Sequence, residues 1–123
     1  MMNAGAEEVD MSDLKSELLA KKCEPCREGT PAMSDAQVME HLKAVPGWEY
    51  RNKEISRSFK FKNYYETMAF VNAVAWVAHG EDHHPDMEVG YNRCKVRFST
   101  HSVGGLSEND FIMAAKVDAL RPA

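Results

Sequence analysis

The sequence predicts an α+β fold: a four-stranded antiparallel sheet with helices packed on one face, in the order α-β-β-α-β-β-α. Three observations lead there. Two stretches alternate apolar and polar residues on either side of a short turn, as paired strands do. The segments before, between and after them carry apolar residues at helical spacing. Each of those helical segments opens on a hydroxyl or amide residue followed three positions later by a residue able to reach back to it, which is how helices begin. Two hairpins separated by a helix bury one sheet face only if the helices collect on that face.

Taken in order, residues 1–32 read as an N-terminal extension and residues 33–123 as the folded domain. The extension is polar and charged apart from Leu14, Leu18 and Leu19, which suit a short amphipathic helix, and it carries Cys23-Glu24-Pro25-Cys26-Arg27. Ser34 with Gln37 forms a capping box, and Val38, Leu42 and Val45 make the apolar stripe of a first helix that runs toward Pro46-Gly47. Trp48 to Arg51 and Glu54 to Lys62 form a hairpin about Asn52-Lys53. Ile55, Phe59 and Phe61 fall on one face, and Arg57 falls among them, as at an edge position or facing a cleft.

Asn63 and Glu66 repeat the capping logic and open a long helix with Phe70, Val71, Val74, Val77 and Ala78 at its core positions, which Gly80 should stop. Met87 to Tyr91 and Cys94 to Thr100 form the second hairpin, turning at Asn92-Arg93. Cys94, Val96 and Phe98 share one face, and this second strand is a candidate sheet edge. Ser107 caps the last helix with Asp110 at its third position and Leu106 stapled to Phe111.

Composition narrows the function. A chain of 123 residues fits one compact domain, and a formal charge of -4 disfavours nucleic-acid binding through simple electrostatics. Met1 to Met11 has neither a basic start nor an apolar run, and no stretch is long and apolar enough to cross a membrane. With three cysteines and no export signal, a cytoplasmic setting without disulfides is expected.

The chemistry gathers in the histidines. Of five, four lie between residues 79 and 101: His79, the pair His83-His84 ahead of Pro85, and His101. Imidazole gives and takes protons near neutral pH, so such a set suits proton transfer or metal ligation. The second hairpin brings the ends of its strands together, which should set His83 or His84 across a cleft from His101. His41 lies off the apolar stripe of its helix, and the pair Tyr64-Tyr65 reads as packing. Asp110, at the start of a helix, serves the cap on the plainest reading. Pro85 reads as a rigid strand entry and Tyr91 as an aromatic packed near the turn.

The full spacing, His79, His83-His84-Pro85, Tyr91, His101 and Asp110, resembles that of the pterin-4a-carbinolamine dehydratases, and the resemblance covers about Ser34 to Leu120. The Cys23 to Arg27 segment is similar to one in some bacterial members. His79 departs mildly, since many members carry an acidic residue there. The resemblance implies a hydro-lyase that dehydrates a 4a-hydroxytetrahydropterin, the product of aromatic amino acid hydroxylases, to the quinonoid dihydropterin in tetrahydrobiopterin recycling. It implies His83 and His101 as the proton-transfer pair, His84 holding the pterin and assisting, and Asp110 orienting His101 or contacting substrate. His79, Pro85 and Tyr91 would be supporting residues. Neither metal nor other cofactor would be needed, pterin being the substrate, and a homodimer or homotetramer built by pairing sheet edges would result.

Two rival readings stay open. Family members also bind other proteins, including a homeodomain transcription factor in animals, so the fold can serve as an interaction module. A zinc site could use His79 and His83, four apart, or Cys23 and Cys26, although Gly80 should end the helix before His83 and a single CxxC is a weak zinc signal. The CxxC reads otherwise as a surface segment without catalytic function, and Cys94 as a small core residue.

Overall fold

The structure, a computed structural model, describes residues 11–27 and 29–120; the reading of the first ten residues lies outside it. Its elements are α1 (Met11–Ala20), α2 (Asp35–Leu42), β1 (Glu49–Arg51), β2 (Glu54–Lys60), α3 (Tyr64–Glu81), β3 (Asp86–Val89), β4 (Arg93–Phe98) and α4 (Glu108–Ala119), with a 3-10 turn at His101–Val103. The four strands pair antiparallel in the order β1-β2-β4-β3. The expected α+β architecture is therefore present, with α1 added by the extension.

Strand order corrects one expectation. β4 is an inner strand, paired to β2 on one side and β3 on the other, so the sheet edges are β1 and β3. The cause is burial. Cys94, Val96 and Phe98 of β4 are almost fully removed from solvent, whereas Val89 of β3 is exposed, and the most apolar strand gains most from two neighbours. Ile55 and Phe59 of β2 complete the core face, against which Phe70, Val74 and Ala78 of α3 and Phe111, Ile112 and Ala115 of α4 pack.

The turns show why the elements stop where they do. Asn52 and Lys53 both take positive φ, 54° and 62°, the conformation of a two-residue turn whose twist matches that of its strands. Ser34 and Gln37 make both bonds of the expected capping box. At α3 the box is not reciprocal. The Asn63 side chain accepts from the Glu66 N–H at 2.9 Å, but Glu66 reaches one residue further back and accepts from the Lys62 N–H at 3.0 Å.

Gly80 does not stop α3. The helix runs to Glu81, and Asp82 takes the left-handed conformation (φ 53°, ψ 41°) that ends it. The His83 N–H returns to the Ala78 carbonyl at 3.2 Å and the Asp82 N–H to the His79 carbonyl at 3.3 Å. These are the two bonds of a Schellman motif, so the backbone of His83 is part of the helix end rather than free loop.

Arg57 is neither at a sheet edge nor a cleft residue. It lies on the core face of an inner strand, where its guanidinium meets Asp118 Oδ1 at 3.0 Å and sits 4.9 Å from the Phe59 ring centroid. Trp48 Nε1 donates to the same carboxylate at 3.0 Å, tying the first hairpin to α4. The extension is tied there too: Leu18 is fully buried, Lys116 Nζ donates to the Leu19 carbonyl at 2.9 Å, and Lys21 meets Glu108 at 3.0 Å.

Candidate active site

Asp110 organises the site. It is wholly buried at the third position of α4, and its Oδ2 accepts from the Ser107 N–H at 3.0 Å, the return bond of a helix cap. The same oxygen accepts from the Thr100 hydroxyl at 2.8 Å, and the Ser107 hydroxyl lies 2.7 Å from Thr100 Oγ1. Because Thr100 spends its proton on the carboxylate, Ser107 is the donor between the two hydroxyls. Two donors thus fix Oδ2, one of them held in turn by the Ser107 hydroxyl, and Oδ1 is left for one more partner.

That partner is His83, whose Nε2 lies 2.7 Å from Asp110 Oδ1. A buried carboxylate can only accept, so Nε2 carries a proton and Nδ1 is the nitrogen left to take one up or give it away. The ring lies nearly parallel to Phe98, centroids 6.0 Å apart and planes 13° from each other. Backbone held by the helix end, ring flanked by Phe98 and Nε2 held by Asp110 give His83 one orientation and one tautomer.

A cavity of about 310 Å³ opens beside this pair, lined by Cys23–Cys26, Glu81–His83, Thr100, Ser102 and Asn109. Its size is at the lower end of small-molecule sites. The extension therefore forms one wall, which corrects the reading of the CxxC as a bare surface segment: Cys23 and Cys26 are both half-buried against the start of α4. Burial, and after it the Glu81 carboxylate, push the Cys23 thiol up to about 12, far from a reactive thiolate.

The remaining candidates are spread around this centre. His84 and His101 are exposed, His84 next to His83 in the chain and His101 directly after Thr100, where it opens the 3-10 turn. Pro85 is half-buried at the entry to β3, and His79 is exposed on the last turn of α3. His79 and His83 share no helix face, because α3 closes between them. Among the described residues no group of three His, Cys, Asp or Glu side chains is placed to hold a metal ion.

Tyr91 departs most from expectation. It is 65% exposed at the turn joining β3 to β4, the opposite end of the hairpin from His83, and its ring stacks on Tyr64 at 6.3 Å. Its backbone is better placed than its ring, since its carbonyl accepts from the buried Thr67 hydroxyl at 2.9 Å. Sequence reasoning missed Thr100, Ser107 as a hydroxyl donor, and Asn109. Each stands beside a residue it did single out, but their polarity alone marks nothing.

Residues 31–120 match the sequence model of the family described as pterin 4 alpha carbinolamine dehydratase. This chain belongs to that family. A provisionally named pterin-4-alpha-carbinolamine dehydratase of Nitrosospira multiformis is 55% identical over 104 residues, covering 85% of this chain and 92% of its own. A second, from Nitrosomonas eutropha, is 59% identical over 105 residues, covering 85% and 93%. A crystal structure described as a transcriptional coactivator/pterin dehydratase from Brucella melitensis superposes with a TM-score of 0.70 at 36% identity, covering 72% of this chain and 97% of that one. A pterin dehydratase-like protein described as a RuBisCO assembly factor in the alpha-carboxysome shares the fold alone, with a TM-score of 0.51 at 24% identity. With the pterin 4 alpha carbinolamine dehydratase family comes its class of enzyme, and the chain is a hydro-lyase.

Proposed function

We propose that this protein dehydrates a 4a-hydroxytetrahydropterin to the quinonoid dihydropterin and water, by acid-base catalysis from histidines without a metal or other cofactor. The observation that carries this reading is the His83–Asp110 pair beside a cavity, Nε2 held at 2.7 Å by a buried carboxylate. The reaction removes the proton on N5 and the hydroxyl on C4a; a base takes the first and an acid delivers a proton to the second, leaving an N5=C4a double bond and water.

His83 is the base in this scheme. Its Nδ1 receives the N5 proton while Asp110 faces the imidazolium that forms, as a carboxylate does for a histidine base elsewhere. His101, directly after Thr100, is the acid for the leaving hydroxyl, and His84 binds the pterin and assists. The proton returns from His83 to solvent or to His101 to complete the cycle. Asp110 is then a positioning residue for His83 rather than for His101.

The test is a coupled assay of carbinolamine dehydration with wild type, His83→Ala and His101→Ala. Each variant should lose roughly 10²- to 10⁴-fold in rate. Equal rates for all three would leave the fold as a binding module instead. The reading also places the enzyme in the cytoplasm beside an aromatic amino acid hydroxylase, where the quinonoid product is recycled. It further takes it to be at least a homodimer, for which the open edges β1 and β3 are available and which sedimentation would measure.

A further inference from the structure

The extension reaches the catalytic cavity through a defined set of bonds, and we propose that its strap Cys23–Cys26, clasped by Asn109, is the wall that selects the pterin, admitting uncharged ones in preference to those bearing carboxylate or phosphate. The inference rests on the dehydratase reading of the same cavity.

The clasp has two points. Asn109 Nδ2 donates to the Glu24 carbonyl at 2.7 Å while its Oδ1 accepts from the Glu24 N–H at 3.1 Å, so one carboxamide pairs with the strap as a neighbouring strand would. A second tie lies across the cavity, where the Cys23 N–H donates to Glu81 Oε1 at 2.8 Å. Behind it, Lys116 Nζ lies 3.7 Å from Glu81 Oε2 and also holds the Leu19 carbonyl. Asn109 directly precedes Asp110, and Glu81 lies two residues before His83. The strap is therefore fastened to the same two chain segments that place the catalytic pair, and a shift of the strap changes the space in front of His83 without breaking the His83–Asp110 bond.

Charge gives the selection its sign. Glu24, Glu81 and Asp82 line the cavity, and among the described residues no lysine or arginine does. Lys116 engages one carboxylate but is not itself part of the lining. Such a wall suits the N–H-rich edge of a 2-amino-4-oxo ring, which offers donors to acceptors, and repels an anionic substituent.

The three thiols supply a probe. Cys94 is fully buried and the Cys23 thiol is raised to about 12, so at neutral pH iodoacetamide should mark Cys26, read by peptide mass spectrometry. Saturating pterin should slow that labelling at least about fivefold, and pterin-6-carboxylate should need a higher concentration for the same protection. In the enzyme, Asn109→Leu removes both bonds to Glu24 at similar volume and should raise KM about tenfold while kcat stays within about twofold. Glu24→Gln, at an exposed position, should keep the fold and narrow the preference for pterin over its carboxylate. Absence of dehydration by wild type would defeat the underlying reading. Active wild type with Cys26 labelling indifferent to pterin, an unchanged KM in Asn109→Leu and an unchanged preference in Glu24→Gln would overturn the strap proposal alone.

Discussion

At Asp110 two demands meet on one carboxylate. Oδ2 closes the start of α4 and takes the Thr100 hydroxyl, while Oδ1 holds His83 at 2.7 Å. A cap residue is ordinarily exchangeable at a cost of about 1 kcal/mol, but here the exchange also alters the histidine proposed to transfer the proton. Asp110→Asn should therefore lower kcat by more than about tenfold, yet by less than removal of the histidine itself, which costs roughly 10²- to 10⁴-fold. KM should move little; a rate equal to wild type would mean that His83 does not work through this carboxylate. Asp118 shows the opposite balance. Burial pushes its carboxyl above the ordinary range, against the pull of the Trp48 N–H and the Arg57 guanidinium. The folded chain thus binds that proton more tightly than the unfolded chain, and the group's contribution is full below the ordinary carboxylate pKa of about 3.9 and lost as pH rises through the raised value. Comparing Tm of Asp118→Asn with wild type from acid to neutral pH should show the variant gaining relative to wild type as pH rises. A gap that widens against the variant would reject that assignment.

Among the elements, the ends of α3 carry most of what the site needs. The helix closes on Asp82 in the left-handed region, where a non-glycine residue is strained and where a negative charge faces the negative end of the helix dipole. Asp82→Gly should raise stability by about 0.5–1 kcal/mol, measured by urea denaturation; a loss would mean that the Asp82 side chain supports the fold in a way its backbone does not suggest. This end also shows what the sequence makes legible. Periodicity located α3 and both hairpins, because burial imposes periods that side chains display directly. Gly80 drew the stop signal because glycine is the usual left-handed residue, but the last buried side chain, Ala78, leaves the helix free to run on until His83 can close it. His83 and Asp110 were legible as members of one spaced set, with Asp110 expected to orient His101 or contact substrate, whereas their direct bond was not, since it depends on how α4 lies against the helix end. Arg57 was misread for a similar reason: its partner, Asp118, is 61 residues away in the chain.

For the whole molecule, the question is whether the extension is an appendage or part of the fold. Patterning favours an appendage, since Leu14, Leu18 and Leu19 offer little apolar surface in a polar stretch. The packing favours the second view, because Leu18 is as buried as Phe59 or Phe111 and α1 lies along α4, the helix that carries Asn109 and Asp110. Sequence understates this because one well-placed side chain contributes as much as a periodic face when the surface it covers is already formed. Leu18→Ala should then cost about 2–5 kcal/mol, the range for emptying a core position, against the ~5–15 kcal/mol that holds a domain of ordinary stability together. An independent arm would instead lose less than about 0.5 kcal/mol, as surface substitutions do. Urea denaturation followed by both tryptophan fluorescence and far-UV circular dichroism distinguishes the two. One shared transition displaced to lower urea places α1 inside the cooperative unit, and an undisplaced midpoint places it outside.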